Sequence, residues 1–212
     1  MSIPKNRPPL AGRGKGHYFD PEPAVSSRPR TLRLNLPGLS LELEADRGVF
    51  GSQRVDLGTV VLLKEAPPPP PDGDLLDLGC GYGPIALALA RRSPGARIWA
   101  VDVNARALEL IRANVKRAGL ANVMAGAPDE VPDQVRFAAI YSNPPVRVGK
   151  VELHAVLGRW LPRLEPHANA YLVVQRNLGA DSLAAWLGAE GYAVRRLKSK
   201  KGYRILEIGS RL

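Results

Sequence analysis

The clearest pattern at the start of the chain is alternation. Thr31-Leu-Arg-Leu-Asn-Leu36 places an apolar residue at every second position, the period of a strand with one buried face. Leu39-Ser-Leu-Glu-Leu-Glu44 repeats it, and the Pro37-Gly38 turn signal between them predicts a hairpin. Arg47-Gly-Val-Phe-Gly51 reads as a loop, and Gly58 to Leu63 as a further short element. Pro67 to Pro71 form an unbroken proline run that suits neither sheet nor helix and prefers extended polyproline geometry.

Beyond the prolines, short apolar runs alternate with longer segments of helical period. Strands are expected at Leu75–Leu78, Arg97–Val101, Val123–Ala125, Phe137–Tyr141, Ala170–Gln175, Ala193–Leu197 and Tyr203–Ile208. Helices are expected at Ile85–Arg92, with Pro84 in its first turn, at Ala105–Ala118, stopped by Gly119, at Val151–Leu164 and at Ser182–Glu190, stopped by Gly191. Lys198 to Gly202 is short enough to connect the last two strands as an antiparallel hairpin. The fold class is therefore α/β: a Rossmann-like, mostly parallel sheet of seven strands with helices on both faces, closed by a C-terminal antiparallel hairpin. Residues 1–30 read as a basic irregular arm, 31–66 as a β-hairpin appendage, 67–73 as a proline-rich linker and 74–212 as the main domain.

Charge adds a partner to this picture. The chain has 30 Lys and Arg against 20 Asp and Glu, a formal charge of +10, and the excess sits at the two ends. Lys5, Arg7, Arg13, Lys15, Arg28, Arg30 and Arg33 crowd the start; Arg195, Arg196, Lys198, Lys200, Lys201 and Arg204 crowd the end. Such a distribution points to a polyanion. One cysteine, Cys80, and three scattered histidines give no disulfide and no metal-ligand spacing. No apolar run is long enough for a membrane span and Met1–Pro9 carries no secretory signal, so a cytoplasmic protein without metal is expected.

Two loops carry the chemistry. Asp77-Leu-Gly-Cys-Gly-Tyr-Gly-Pro84 follows a strand and opens a helix, where ligands of open parallel sheets bind. Gly79, Gly81 and Gly83 let backbone approach a ligand, and Asp102 ends the next strand, where a carboxylate accepts ribose hydroxyls. The G-x-G-x-G-P spacing differs from the dinucleotide fingerprint, and Asp77 beside it suits a cation and repels a pyrophosphate. Ile140-Tyr-Ser-Asn-Pro-Pro-Val146 follows the fourth strand and reaches the same sheet edge. Pro144 and Pro145 stiffen the loop, so that the Asn143 amide oxygen and the Pro144 carbonyl can accept the two hydrogens of a planar amine and orient it. Arg147 and Lys150 just beyond, with Lys198, Lys200 and Lys201, are candidates for phosphate contacts.

With these motifs the stretch from Leu75 to Leu212 resembles the class I S-adenosylmethionine-dependent methyltransferases. The resemblance implies that Gly79, Gly81 and Gly83 hold the methionine part of S-adenosylmethionine, Asp77 its amino end and Asp102 its ribose, with Val103 beside it. Members often bind adenine with a polar side chain after the third strand. Here Ala127 occupies that place, which leaves backbone groups or Asp129. Asn143-Pro144-Pro145 marks relatives acting on exocyclic base amines or on a protein glutamine amide, many with an aromatic next; this chain has Val146. Together with Arg47–Gly51 and Arg54-Val-Asp-Leu-Gly-Thr59, the longer string Tyr141 to Lys150 is similar to the small-subunit 16S ribosomal RNA guanine-N2 methyltransferases of the C type. The implied partner is ribosomal RNA or the small ribosomal subunit. Two rivals stay open: a glutamine-N5 methyltransferase acting on a release factor, which needs no basic termini, and a non-catalytic RNA-binding module, which needs no intact glycine loop.

Overall fold

The computed structural model describes residues 25–144 and 149–211. The chain begins with the hairpin β1 (Arg30–Leu36) and β2 (Leu39–Ala45), then α1 (Leu57–Glu65). There follow β3 (Asp74–Leu78), α2 (Pro84–Arg92), β4 (Arg97–Val101), α3 (Ala105–Arg117), β5 (Val123–Gly126) and β6 (Phe137–Ser142). The chain closes with α4 (Lys150–Trp160), β7 (Leu164–Gln175), α5 (Ala180–Ala189), β8 (Val194–Lys200) and β9 (Tyr203–Gly209). The main sheet has seven strands in the order β5-β4-β3-β6-β7-β9-β8, antiparallel only where β9 joins β7 and β8. The α/β class, the seven strands and the closing hairpin are those the sequence predicts.

Period-two alternation divides the apolar side chains between the two faces of the sheet. Leu75, Ile98, Ala139, Tyr141 and Val173 pack on one face with the hairpin, α1, α2 and α3. Leu76, Trp99, Ile140, Leu172 and Leu206 pack on the other with α4 and α5. The buried row of the hairpin, Leu34, Leu36, Leu41 and Leu43, belongs to the first cluster, so the N-terminal hairpin shares its core with the sheet. α2 is buried from Pro84 to Ala90 because the hairpin and α1 cover the side turned away from the sheet.

Several boundaries move for local reasons. The short element at Gly58–Leu63 is a helix from Leu57, with Asp56 as N-cap accepting from the Thr59 amide at 3.2 Å. The helix expected over Val151–Leu164 stops at Trp160 and tightens into a 3₁₀ turn over Leu161–Arg163, where Pro162 has no N–H to continue it. β7 then begins at Leu164, earlier than the apolar run Ala170–Gln175 predicts. The connection expected at Lys198–Gly202 is only Lys201-Gly202, both at positive φ (51° and 81°), as a two-residue hairpin turn requires. Lys198 and Lys200 are therefore strand residues of the edge strand β8.

One polar side chain fastens the hairpin to the main sheet's helices. Asn114 on α3 is fully buried. Its Oδ1 accepts from the Glu44 amide at 2.7 Å, and its Nδ2 donates to the Glu44 carbonyl and to the Tyr82 carbonyl, both at 2.9 Å. The amide thus caps the free edge of β2 as a neighbouring strand would, and ties the glycine loop to both. Replacing Asn114 by Leu keeps the volume but strands three buried backbone groups. The expected loss is about 2–4 kcal/mol in urea unfolding; an undiminished stability would show that water replaces the amide.

Candidate active site

Strand registers bring the predicted residues together. Leu78 of β3 pairs with Val101 of β4 and with Ser142 of β6, and Val101 pairs with Gly126 of β5. Gly79, Asp102, Asn143 and Ala127 are the next residues on these four strands, so all leave the ladder at one level. The strand order reverses between β3 and β6, which is where ligands of open parallel sheets enter.

The glycine loop is held from beneath by two carboxyl groups. Asp102, 8% exposed, accepts from the Gly81 amide with Oδ2 at 2.8 Å and from the Asn104 amide with Oδ1 at 2.9 Å. Burial raises its pKa. Asn104 is the N-cap of α3, accepting from Ala107, while its Nδ2 donates to the Gly48 carbonyl at 3.0 Å. Asp77 is fully buried beneath α2; its Oδ2 accepts from the Ala86 amide at 2.9 Å and its Oδ1 has no hydrogen-bond partner among the described residues. Burial, aided by the neighbouring Asp102 charge, pushes the Asp77 carboxyl up to about 8.

The three glycines have different reasons for being glycine. A Cβ on Gly79 would point into open space at the loop surface, whereas one on Gly83 would lie 2.6 Å from Ile111 and 2.8 Å from Leu87. Gly83 allows α2 and α3 to pack closely, and Gly79 keeps the loop face clear. Val103 is 41% exposed beside Asp102. At the end of β5 the carboxylate that folds back is Glu130, accepting from the Ala127 amide at 2.9 Å; Asp129 turns away to Arg159 at 2.7 Å.

A narrow cleft, open to solvent, lies over the loop. Gly79, Cys80, Gly81, Tyr82, Pro84 and Ile85 line one side, and Phe50, Gly51, Asp56, Thr59 and Asn143 the other. The Asn143 Nδ2 donates to Asp56 Oδ2 at 2.8 Å and to Thr59 Oγ1 at 3.0 Å. Pro144 is buried; Pro145, Val146 and Arg147 lie outside the described residues. Sequence reasoning gave no role to Phe50, Asp56 or Thr59, although the strings Arg47–Gly51 and Arg54–Thr59 carried the resemblance. Phe50 is 44% exposed at the cleft.

Lys150 is exposed at the start of α4. The antiparallel register places Tyr203 opposite Gln175, the last residue of β7, so the β8–β9 turn with Lys200 and Lys201 lies at the same sheet edge as the cleft. Lys200 is ion-paired with Glu65 of α1, and this hydrogen bond lowers the Glu65 pKa. Among the described residues no group of His, Cys, Asp and Glu could hold a metal ion, and no helix is long and apolar enough to cross a membrane.

A glycine loop at the switch point of this strand order, with an acid at the end of the next strand, defines a class I methyltransferase whose cofactor is S-adenosylmethionine. The family model of the methyltransferase small domain matches residues 40–207, and the chain belongs to that family. It is 34% identical over 194 residues to the uncharacterized protein YbxB of Bacillus subtilis, covering 90% of this chain and 96% of that one. It is 33% identical over 196 residues to ribosomal RNA small subunit methyltransferase C of Pseudomonas aeruginosa, covering 82% of this chain and 57% of the relative. Among solved structures, the Thermus thermophilus 16S rRNA N2 G1207 methyltransferase with AdoMet and guanosine matches with a TM-score of 0.69 and 25% identity. That match covers 89% of this chain and 52% of the Thermus protein, so the chain spans about half the length of its ribosomal RNA methyltransferase relatives.

The buried Asp77 gives a pH prediction. Its folded pKa of about 8 lies above the ordinary 3.8, so folding takes up a proton between those values. This contribution to stability is complete below pH 3.8 and is lost as pH rises through about 8. Asp77→Asn abolishes the titration. Urea unfolding from pH 4 to 8 should therefore show the wild type losing stability relative to the variant as pH rises, by up to about 1.4 kcal/mol per unit. Parallel curves would mean that Asp77 is already ionised in the folded protein.

Proposed function

We propose that this chain methylates the exocyclic N2 amine of a guanine in small-subunit 16S ribosomal RNA, in the cytoplasm. The observation that carries the reading is the placement of Asn143, level with Gly79 and Asp102 on adjacent strands and facing the glycine loop across one cleft. The similarity to the Thermus enzyme, whose target is G1207, favours that nucleotide or a neighbour.

The residues fit S-adenosylmethionine. Asp77 Oδ1 has no partner among the described residues, and a cationic amino group would favour the ionised, accepting form of this carboxyl; the open face of Gly79 leaves backbone accessible, and Asp102 and Val103 stand where a ribose and its base would follow. Gly81 holds the loop on Asp102 and Gly83 keeps α2 seated on α3; the adenine would lie at the end of β5 beside Ala127, whose amide is held by Glu130. When bound, S-adenosylmethionine supplies a methyl group on a sulfonium, an electrophile that needs no metal. The Asn143 Oδ1 and the Pro144 carbonyl accept the two N–H groups of the acceptor amine and aim its lone pair at the cleft. Asn143 is no base; the amine releases its proton to water after transfer. Phe50 offers the stacking face that Val146 does not. Arg147, Lys150, Lys198, Lys200 and Lys201 hold phosphates around the splayed base.

Incubation with methyl-labelled cofactor and, separately, naked 16S RNA, small subunits and a release factor decides the acceptor. Label is expected on guanine N2; label confined to a release-factor glutamine would refute the RNA reading. Asn143→Ala should retain cofactor binding and lower the transfer rate by at least about 100-fold. A second check concerns the rim. Lys198→Glu with Lys201→Glu should weaken RNA binding and reduce the logarithmic salt slope by about 1–2, with cofactor affinity unchanged. An identical slope would remove these lysines from the interface.

A further inference from the structure

The geometry points to Asp56 and Thr59 as positioning residues that fix which end of the Asn143 carboxamide faces the methyl acceptor. The inference rests on the methyl-transfer reading above. The two ends of a carboxamide have nearly the same shape and opposite hydrogen-bonding character, so a half-turn about its last torsion exchanges an acceptor for a donor. An amine substrate needs the acceptor end. A flipped Asn143 would turn N–H groups against the N–H groups of the substrate.

Asp56 removes that ambiguity by chemistry, because an ionised carboxylate accepts hydrogen bonds and donates none. Its Oδ2 lies 2.8 Å from the Asn143 Nδ2, and the Thr59 hydroxyl oxygen lies 3.0 Å from the same nitrogen. Both N–H groups are thereby used, and Oδ1 is left for the substrate. The clamp is itself held in place. Asp56 Oδ2 also accepts from the Thr59 amide as the N-cap of α1, and Thr59 is 3% exposed, so water competes little for its hydroxyl. Next to them the Tyr203 ring lies so close to Gly58 that an added Cβ would come within 2.7 Å of it, which seats the first turn of α1 against β9. The Asn143 backbone is stiffened by Pro144. The torsion that remains is the one the clamp sets, across 84 and 87 residues of sequence.

Four variants of the full chain test this. Thr59→Val keeps the branched shape and the capping amide and removes only the hydroxyl, while Thr59→Ser keeps the hydroxyl. Asp56→Ala removes the carboxylate, and Asp56→Asn can keep an oxygen in the place of Oδ2. The readouts are single-turnover methyl transfer to small-subunit RNA, cofactor affinity by calorimetry, and proton exchange of the Asn143 side-chain amide, assigned by its loss in Asn143→Ala. Thr59→Val should slow transfer about tenfold and Asp56→Ala about 100-fold, with cofactor affinity within about twofold of wild type. Thr59→Ser should recover to within about threefold of wild type, and Asp56→Asn should fall between wild type and Asp56→Ala. The Asn143 amide protons should be protected in the wild type and exchange faster in Thr59→Val and Asp56→Ala. Wild-type rates and unchanged exchange in both variants, with Asn143→Ala inactive, would overturn the clamp and leave the methyl-transfer reading standing. If the wild type transfers no methyl group to RNA, the functional reading fails by itself, and amide exchange decides the clamp.

Discussion

Parallel pairing in fixed register between β3, β4 and β6 is the constraint on which the rest of the site depends. Side chains alternate faces along a strand, so slipping β6 by one residue against β3 would exchange the environments of Ile140 and Tyr141. Each is buried in a different apolar cluster, with Leu157 and Leu172 near the first and Leu75 and Tyr171 near the second. That burial, at about 1.5–3 kcal/mol for each large side chain as an upper estimate, makes the slip prohibitive. The Ser142 hydroxyl adds a direct lock by donating to the Leu78 carbonyl at 2.7 Å. Because the register cannot slip, Gly79, Asp102 and Asn143 must leave the sheet together, and the loops that follow start from a common level.

The same edge gathers charge that a hydrophobic core would reject. Asp77 and Asp102 sit under the glycine loop with their pKa values raised by burial. Backbone amides of Ala86, Gly81 and Asn104 compensate part of the desolvation, and these are N–H groups that a helix start or a tight loop would otherwise leave unpaired. What is left over is the Asp77 Oδ1. A cationic donor arriving at the loop favours the ionised form of Asp77 and meets an acceptor that burial leaves poorly solvated, while an anion gains nothing from either acid. The electrostatics of the loop thus agree with its spacing in selecting a sulfonium amino acid over a dinucleotide.

Legibility in the sequence followed the range of the interactions involved. The succession of strands and helices, the glycine loop and the Asn143 loop were readable because each rests on a local period or a short string with its own backbone chemistry; the order of the strands in the sheet was not among them. The hairpin β1–β2 was readable for the same reason, down to the alternation of Leu32, Leu34 and Leu36, whereas the helical character of Gly58–Leu63 was not. Three further things were not. The end of α4 was placed late because the apolar run continues past Pro162 into β7. Glu130 was passed over for Asp129, since nothing in Pro128-Asp129-Glu130 says which carboxylate turns inward. Asp56 and Thr59 read as the entry to a helix, and their second duty exists only through contacts to Asn143 far along the chain. The basic C-terminal cluster was also read too simply. Arg195, Arg196, Lys200 and Arg204 all have acidic neighbours in the fold, Glu207, Asp181, Glu65 and again Asp181.

The hairpin and α1 bear on the site in a way their position before the proline run conceals. Arg47–Gly51 is drawn against the sheet edge by the Asn104 side chain on the Gly48 carbonyl and by Arg106 on the Arg47 carbonyl at 2.8 Å. Tyr82, buried in the glycine loop, reaches the Gly51 carbonyl at 3.4 Å. Phe50 is thereby carried to the cleft by the same contacts that order the loop on its far side. Tyr82 thus joins the glycine loop to the segment bearing Phe50, and Asn114 joins the same loop to β2. The two walls of the cleft are fastened to each other by these contacts.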